Sequence, residues 1–296
     1  MGLVVKNVSK FFGEKTAVDN ISFEITKPGV FGLLGTNGAG KTTTIRMMLG
    51  IIKKSKGSIT WNGKEVEQKN VRFGYLPEER GLYPKTKIYD QLFYFATLKG
   101  MSKQEANTAI DYWLKRLEAE EYKNMLAEKL SKGNQQKIQF IASIINEPEL
   151  IVLDEPFSGL DPVNTKLLKD VILELVQKGK YIVMSSHQMS SIEEFCPDLV
   201  ILNRGKTVLQ GNLEEIKNSY QATSVDLTTK QEVTAIIKQV NLPVLFQKDH
   251  TYQIQITSEQ DGYRLLEALQ QANVPITKFE IKKPSLNDIF IEKVGK

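Results

Sequence analysis

A glycine-rich stretch at residues 35–42, GTNGAGKT, has the residue types and spacing that bind nucleotide phosphates. It fits the pattern G-x-x-x-x-G-K-[ST] at every required position, and glycines in such a loop let backbone N–H groups turn toward phosphate oxygens. We expect the lysine of the pattern, Lys41, to contact the β- and γ-phosphates and the hydroxyl of Thr42 to bind Mg²⁺. The stretch therefore predicts a nucleoside triphosphate site; the alternative is a glycine-rich turn that carries a lysine by chance.

A pair of adjacent acids is the second candidate for chemistry. Asp154 and Glu155 follow the apolar residues 151–153, so we expect them at the carboxyl edge of a parallel sheet, where ligands of such folds bind. Asp154 is expected to hold Mg²⁺ through water. Glu155 is expected to orient and polarise the attacking water, because phosphoryl transfer requires mainly positioning and charge stabilisation. Two acids at a solvated strand end are also common without any such role.

A sheet and its helices must position these residues. Apolar and alternating runs predict strands at residues 3–5, 21–25, 30–34, 150–153, 181–184, 199–202 and 207–210. Helices are predicted at residues 42–49, 136–146 and 164–177, and helical spacing at residues 88–95 and 109–117 predicts a helical insert over about residues 83–128. A strand, a glycine loop and a helix in succession open a nucleotide-binding α/β unit. The glycine loop has this context.

The pattern changes after residue 220. Short strands are predicted at residues 225–227, 244–246, 252–256 and 276–281, with helices at 231–239 and 261–272 between them. This pattern predicts a small α+β module without a charge stripe or a repeat. We therefore expect a first domain over residues 1–219 and an accessory module over residues 220–296.

Composition excludes several classes of function. A length of 296 residues suggests about two domains, and the net charge of +4 gives no electrostatic signal for nucleic acid. The single cysteine, Cys196, excludes an intrachain disulfide and a cysteine-based zinc site. No stretch has the ~18–20 apolar residues of a membrane helix. We expect a cytoplasmic protein that another chain would hold at the inner face of the cell membrane.

The glycine loop and the acid pair resemble those of the ATP-binding subunit of an ABC transporter, and the resemblance covers about residues 1–210. It implies an α/β P-loop NTPase fold of the ABC type, with a parallel sheet core, antiparallel N-terminal strands and a helical insert at about residues 78–128. It implies ATP and Mg²⁺ as cofactors. The nucleotide contacts that it implies in the first part of the chain are Phe12, Val18, Gly35, Thr36, Asn37, Gly38, Ala39, Gly40, Lys41, Thr42 and Thr43. The ring of Phe12 would stack on adenine, or it belongs to the core.

Three later segments extend the resemblance. Residues 131–136, SKGNQQ, resemble the family's signature sequence, in which Ser131, Gly133 and the following helix contact the γ-phosphate held by a partner subunit. Ser131 also suits a helix N-cap. Asp161 ends a segment, SGLD, that resembles the family's loop at the dimer interface. His187 stands where the family has a histidine that senses the γ-phosphate, although a lone histidine is more often structural.

The sequence departs from the family at two places. In the signature, Lys132 replaces a glycine and Asn134 replaces a glutamine, which puts the strength of the phosphate contact in doubt. Glu78 stands where the family has a glutamine that contacts Mg²⁺ and water. A carboxylate there could bind Mg²⁺ directly but would repel a γ-phosphate in the absence of the metal. We expect Glu78 to make turnover more dependent on the metal.

The resemblance implies a dimer in which each ATP lies between the glycine loop of one subunit and the signature of the other. The partner would be a second copy of this chain or a similar ATP-binding subunit, and the closing dimer would drive a polytopic membrane permease through the helical insert. Residues 284–290, PSLNDIF, resemble a segment of exporter ATPases from the drug-resistance and sodium-export branches, although a terminal amphipathic helix explains them equally well.

Two other functions share the glycine loop. A soluble ABC ATPase would act on a macromolecular complex without transport. The soluble ABC ATPases that act in translation usually have two such domains in one chain. Those that act in DNA repair have long coiled coils, and no heptad run is found in this sequence. A GTPase-like switch would not need the signature, and the Asn-Lys-x-Asp sequence that recognises guanine is not found.

Overall fold

The computed structural model describes residues 2–67, 72–79 and 81–295. The chain divides into two compact units, Met1–Gln210 and Gly211–Lys296. The division lies earlier than the boundary expected after residue 219. The reason is the short helix Leu213–Asn218, which begins the second unit: Asn212 caps it by accepting hydrogen bonds from two backbone N–H groups of its first turn.

An antiparallel sheet begins the first unit. Its strands are β1 (Leu3–Phe12), β2 (Lys15–Ile25), β4 (Lys56–Trp61) and β5 (Lys64–Glu65), in the order β2-β1-β4-β5. The expected strand at residues 3–5 continues to Phe12, because shifts of register beyond Val5 let the pairing with β2 continue past the polar residues in between. Neither β4 nor β5 was predicted from the sequence.

The second sheet of the first unit contains both candidate segments. Its strands are β3 (Gly29–Gly35), β6 (Phe73–Leu76), β7 (Leu150–Asp154), β8 (Tyr181–Ser186), β9 (Asp198–Asn203) and β10 (Lys206–Asn212). The order is β10-β9-β3-β8-β7-β6, and the pairs from β9 to β6 are parallel. Because parallel strands are covered on both faces, β7 is buried along its whole length. The glycine loop and the acid pair both follow the carboxyl ends of these strands.

Helices complete the first unit. They are α1 (Lys41–Met48), α2 (Ile88–Leu98), α3 (Lys103–Arg116), α4 (Lys132–Ile144), α5 (Pro162–Gln177) and α6 (Met189–Glu193). The insert consists mainly of α2 and α3, as expected. Helix α4, expected at residues 136–146, begins earlier because the Ser131 hydroxyl accepts a hydrogen bond from the N–H of Asn134. Among the described residues no helix has both the length and the apolar character that a membrane crossing requires.

The second unit has the α+β composition that the sequence predicts. Its elements are α7 (Leu213–Asn218), β11 (Ser224–Thr229), α8 (Thr234–Gln239), β12 (Val244–Lys248), β13 (Thr251–Gln255), α9 (Glu259–Gln271), β14 (Ile276–Lys282) and α10 (Leu286–Val294). The antiparallel sheet has the order β12-β13-β11-β14, which with α8 and α9 gives a β-α-β-β-α-β motif. The terminal segment forms the start of α10, whose Leu286, Ile289 and Phe290 are buried.

Candidate functional site

The glycine loop connects β3 to α1 with a backbone that glycine alone adopts easily. Gly35 has φ 148° and Gly40 has φ 103°. A Cβ atom on Gly35 would lie 2.3 Å from the carbonyl oxygen of Leu202, and one on Gly40 would lie 2.8 Å from that of Ala17. Both the dihedral angles and the close approach therefore exclude larger residues at these two positions.

Lys41 lies over this loop. Its side chain is buried, and its Nζ atom donates hydrogen bonds to the carbonyl oxygens of Gly35 at 2.8 Å and Thr36 at 3.3 Å. The same Nζ atom is 3.8 Å from Oε1 of Glu155. One ammonium group therefore joins the glycine loop to the acid pair.

Thr42 and Asp154 form a second link between the two segments. The Thr42 hydroxyl donates a hydrogen bond to Oδ2 of Asp154 at 3.1 Å, and Oδ1 accepts one from the hydroxyl of Ser185 on β8. Asp154 is fully buried. Burial, with the charge of Asp154 as the second cause, raises the pKa of Tyr75 on β6. The Asp154 carboxylate is thus fixed in orientation beside a hydroxyl oxygen.

Glu155 has a strained backbone, and both of its carboxylate oxygens accept hydrogen bonds. Its φ is 51°, in the region that non-glycine residues rarely adopt. Oε1 accepts a hydrogen bond from the backbone N–H of His187 at 2.8 Å and lies 2.8 Å from Nδ1 of that residue; Oε2 is 3.4 Å from the Ser186 hydroxyl. Because a carboxylate only accepts, Nδ1 carries the proton in this contact. His187 is 44% exposed, so its ring also faces solvent.

A cavity of about 550 Å³ lies over the loop. Its lining residues are Lys15, Thr16, Ala17, Asn37, Gly38, Ala39, Gly40, Lys41, Thr42, Thr43, Glu78 and Arg204. The structure thus brings Glu78 to the same cavity as the glycine loop. Lys15, Thr16, Ala17 and Arg204 were missed in the sequence, where the one signal was the Arg204-Gly205 turn; the N–H of Gly205 donates to the carbonyl of Ala39 and fixes that turn beside the loop.

Four of the nucleotide contacts expected in the first part of the chain lie outside the lining of this cavity: Phe12, Val18, Gly35 and Thr36. Phe12 ends β1 with its ring 52% exposed, and Nζ of Lys10 is 4.7 Å from the ring centroid. The ring is therefore on the surface and not in the core. Val18 is fully buried in the core between the two sheets, while its neighbour Ala17 lines the cavity. Its side chain is thus placed for packing.

The expected partner-facing residues form a separate group that does not line the cavity. Ser131 is exposed and caps α4. The side-chain amide of Asn134 donates to the Tyr122 hydroxyl at 2.8 Å. A Cβ on Gly133 would lie 3.4 Å from the carbonyl oxygen of Gly159. Asp161 caps α5, and hydrogen bonds from Asn164 lower its pKa.

The residues at the cavity suit Mg²⁺ only together with a phosphate ligand. The described residues contain no group of three or more histidine, cysteine or acidic side chains that could hold a metal by themselves. Mg²⁺ usually takes one or two carboxylates, substrate phosphates and water. A hydroxyl from Thr42, the fixed carboxylate of Asp154 and the nearby carboxylate of Glu78 fit such a partial set.

Comparison with protein families gives two matches. A family described as ABC transporter matches residues 18–158, and one described as ATP-binding protein DrrA1-3-like, C-terminal domain, matches residues 211–294. The chain is 47% identical over 294 residues to an uncharacterized ABC transporter ATP-binding protein, YhaQ, of Bacillus subtilis (strain 168), covering 99% of this chain and 98% of the relative.

Two further relatives carry functional names. The linearmycin resistance ATP-binding protein LnrL of Bacillus subtilis (strain 168) is 26% identical over 99% of this chain and 98% of its own length. The Nod factor export ATP-binding protein I of Cupriavidus metallidurans is 31% identical over 73% of each chain. Among solved structures, an ATP-binding subunit of an ABC transporter matches 74% of this chain and 93% of its own, with a TM-score of 0.69 and 29% identity.

Proposed function

The chain belongs to the ATP-binding subunits of ABC transporters, which are ATPases, and we propose that it powers an exporter through the ATP-driven closure of a dimer. One observation carries the proposal. Thr42 donates a hydrogen bond to Asp154 and Lys41 lies 3.8 Å from Glu155, beside the cavity that the glycine loop lines, whereas Ser131 stands at the start of α4 on the same chain. One chain thus supplies two unlike surfaces for ATP.

Glu155 is the residue that we assign to the attacking water. His187 holds one of its carboxylate oxygens through two donors, and Lys41 lies 3.8 Å from the same oxygen. In the proposed reaction the water oxygen bonds to the γ-phosphorus, and the bond from that phosphorus to the β,γ-bridging oxygen breaks. The proton lost by water passes to Glu155 and then to the departing phosphate, and ADP is the other product.

The other residues bind and orient the phosphates. Lys41 would exchange its carbonyl partners for phosphate oxygens, and the N–H groups of the loop would surround the β-phosphate. Thr42, Asp154 and Glu78 are the residues that we assign to Mg²⁺, which when bound neutralises charge on the β- and γ-phosphates. His187 keeps Glu155 in position and is not among the residues that we assign as ligands of the metal.

The position of Ser131 and Gly133 outside the cavity lining supports a dimer. Ser131 and Gly133 stand at the N-terminus of α4, where backbone N–H groups and the helix dipole favour an anion. If this end contacts the γ-phosphate bound by another copy, the two copies are related by a two-fold axis and both sites form together. Two unlike half-sites on one chain favour a homodimer.

The helical insert is the surface that we assign to the membrane permease. On α2 the side chains of Tyr94 and Leu98 are 52% and 70% exposed, and Tyr83 just before the helix is 55% exposed. Exposed apolar groups of this kind mark interaction surfaces. A permease docked there would hold the chain at the inner face of the cell membrane.

Export is supported by the relatives and by the second unit. The names of two relatives refer to drug resistance and to export. The second unit matches the C-terminal domain of DrrA-like ATP-binding proteins over residues 211–294. LnrL is similar over nearly the whole chain, so the likeness includes this unit. The exported substrate is not encoded in these features.

Replacing Glu155 tests the proposed function. Glu155→Gln keeps the shape of the side chain and removes the negative charge that polarises water. We expect kcat for ATP hydrolysis to fall by at least ~100-fold, while ATP still binds and now converts the monomer to a stable dimer in size-exclusion chromatography.

The matched control is Glu149→Gln, which makes the same change just before the other end of β7, where Glu149 is exposed. This variant should retain both the wild-type kcat and the reversible dimer. Normal hydrolysis by Glu155→Gln, or an ATP-bound form that stays monomeric, would remove the proposed roles of Glu155 and of the dimer.

A further inference from the structure

Helix α4 carries an unusual number of buried polar side chains. Gln136, Gln139 and Ser143 are each at most 6% exposed. Buried amides need hydrogen-bond partners, and an apolar residue would pack at such positions without that requirement. Ser143 bonds to the carbonyl of Phe140 in its own helix. The two glutamines bond outside it.

The two glutamine amides hold two different loops. Nε2 of Gln136 donates to the carbonyl oxygen of Pro156 at 3.2 Å, and Nε2 of Gln139 donates to that of Glu79, also at 3.2 Å. Residues three apart lie on the same side of a helix. One face of α4 therefore contacts both loops.

Both loops belong to the nucleotide site of the same chain. Pro156 directly follows Glu155, and Glu79 directly follows Glu78, which lines the cavity. The loops leave the neighbouring parallel strands β7 and β6 at the same edge of the sheet. The two bonds thus fix the spacing between the acid that we assign to water and the acid that we assign to Mg²⁺.

The N-terminus of the same helix carries the segment that resembles the family's signature. Ser131 caps it, and Gly133 packs against the carbonyl of Gly159 and the side chain of Leu160. From Ser131 to Gln139 the helix makes little more than two turns, a rigid distance of about 12 Å at 1.5 Å per residue. A displacement of the signature would therefore also move both loops.

The contact of Gln139 is only half satisfied. Its Oε1 atom is buried and has no hydrogen-bond partner among the described residues. A buried acceptor without a partner is costly, and each such group calls for an explanation. A small shift of the loop or of α4 that brings a hydrogen-bond donor to Oε1 would be favourable. A movement of one element would therefore favour a movement of the other.

From these contacts we infer that Gln136 and Gln139 are positioning residues, which connect the signature presented to one ATP with the catalytic loops around the other. The inference rests on the proposed function, because it requires that the signature contacts ATP in a second copy. Through these two amides, occupation of one site aligns Glu155 and Glu78 in the other. The two glutamines therefore set the cooperativity of ATP hydrolysis.

The test replaces each amide by a side chain of similar length without a donor. Gln136→Met and Gln139→Met, alone and together, should lower kcat by about 10-fold or more and bring the Hill coefficient for ATP from the wild-type value toward one. The affinity of the dilute monomer for a fluorescent ATP analogue should not change, because Lys41 and the glycine loop are intact. Ser143→Ala is the matched control, since it removes a buried hydrogen bond that stays within α4.

The outcomes separate the two proposals. Wild-type kcat and Hill coefficient in the double variant overturn the inference, and so does a loss of monomer affinity that matches the loss of kcat. A wild-type enzyme without cooperativity and without an ATP-dependent dimer overturns the proposed function instead.

A second measurement needs no substitution, in case the methionine variants do not fold. In hydrogen exchange of the wild-type chain, residues 131–134, 76–79 and 155–158 should change protection at the same ATP concentration. Changes at unrelated concentrations contradict the inference.

Discussion

At the scale of single residues, Glu155 depends on its neighbours for its position. Its positive φ places the carboxylate against the backbone and the ring of His187, both of which contact the same oxygen. The other oxygen has one longer contact, with the hydroxyl of Ser186. A carboxylate that is held by donors on one side keeps lone pairs on the other side for water. The geometry of its carboxylate is the property that suits Glu155 to its proposed role.

Glu78 stands where the family has a glutamine, and the effect of this difference can be tested simply. Glu78 lines the same cavity as Thr42, so it adds negative charge to the site proposed for the phosphates. We expect the ATP affinity of the wild-type chain to fall by about 10-fold more on removal of Mg²⁺ than that of Glu78→Gln. Equilibrium ATP binding with Mg²⁺ and with EDTA measures this difference.

Glu79→Gln is the control for this prediction, because Glu79 is exposed and its side chain is not among those that line the cavity. An equal dependence on Mg²⁺ in wild type and Glu78→Gln would show that Glu78 does not influence the metal requirement.

At the scale of elements, sequence patterns predicted what depends on local chemistry. The loop at residues 35–42 and the acids at the end of β7 are each a continuous segment of the sequence. Their local residue pattern therefore predicts where they lie in the structure. Lys15, Thr16, Ala17 and Arg204 reach the cavity only because β1 pairs with β2 and because the turn at Gly205 bonds to Ala39. No local pattern encodes such pairing.

The elements that the sequence did not predict are short, or their apolar and polar residues alternate only weakly. Strand β6 has four residues and β5 has two. Strand β6 is stabilised by β7, which is distant in sequence, and β5 makes only two residue pairs with the preceding strand β4. The buried glutamines of α4 were also not recognised, because their partners are backbone carbonyls of loops far along the chain.

In the second unit, Asp261 provides a pH-dependent test of an element's stability. Hydrogen bonds from Thr257, with a further one from Ser258, hold the pKa of Asp261 far below its usual value. A depressed pKa adds stability above the unfolded-state value of about 3.9, and this stability is lost as pH falls toward the folded-state value. Asp261→Asn should therefore destabilise the second unit at pH 7, and its difference from wild type should shrink below about pH 4.

Urea unfolding, monitored by circular dichroism, measures this effect. Tryptophan fluorescence provides an internal control, because both Trp61 and Trp113 lie in the first unit. Asp249→Asn, at an exposed turn between β12 and β13, should leave the circular dichroism transition unchanged. A difference between Asp261→Asn and wild type that persists unchanged at pH 3 would contradict the assignment.

At the scale of the whole molecule, the central claim is that ATP lies between two copies of this chain. Asn37 is exposed in the glycine loop and Ser131 is exposed at the start of α4. Cys196 is the one natural cysteine; it is 2% exposed, and burial raises the pKa of its thiol, so it should not react. Cysteines placed at these two exposed positions can therefore report a contact between copies.

The most direct measurement mixes two differently tagged chains, Asn37→Cys and Ser131→Cys, both with Glu155→Gln to prevent turnover, under mild oxidation. With ATP and Mg²⁺ we expect a cross-linked heterodimer, which should be absent without ATP and absent when exposed Thr108→Cys replaces Ser131→Cys. An ATP-bound dimer that forms without this cross-link would show that the glycine loop of one copy does not face the signature of the other.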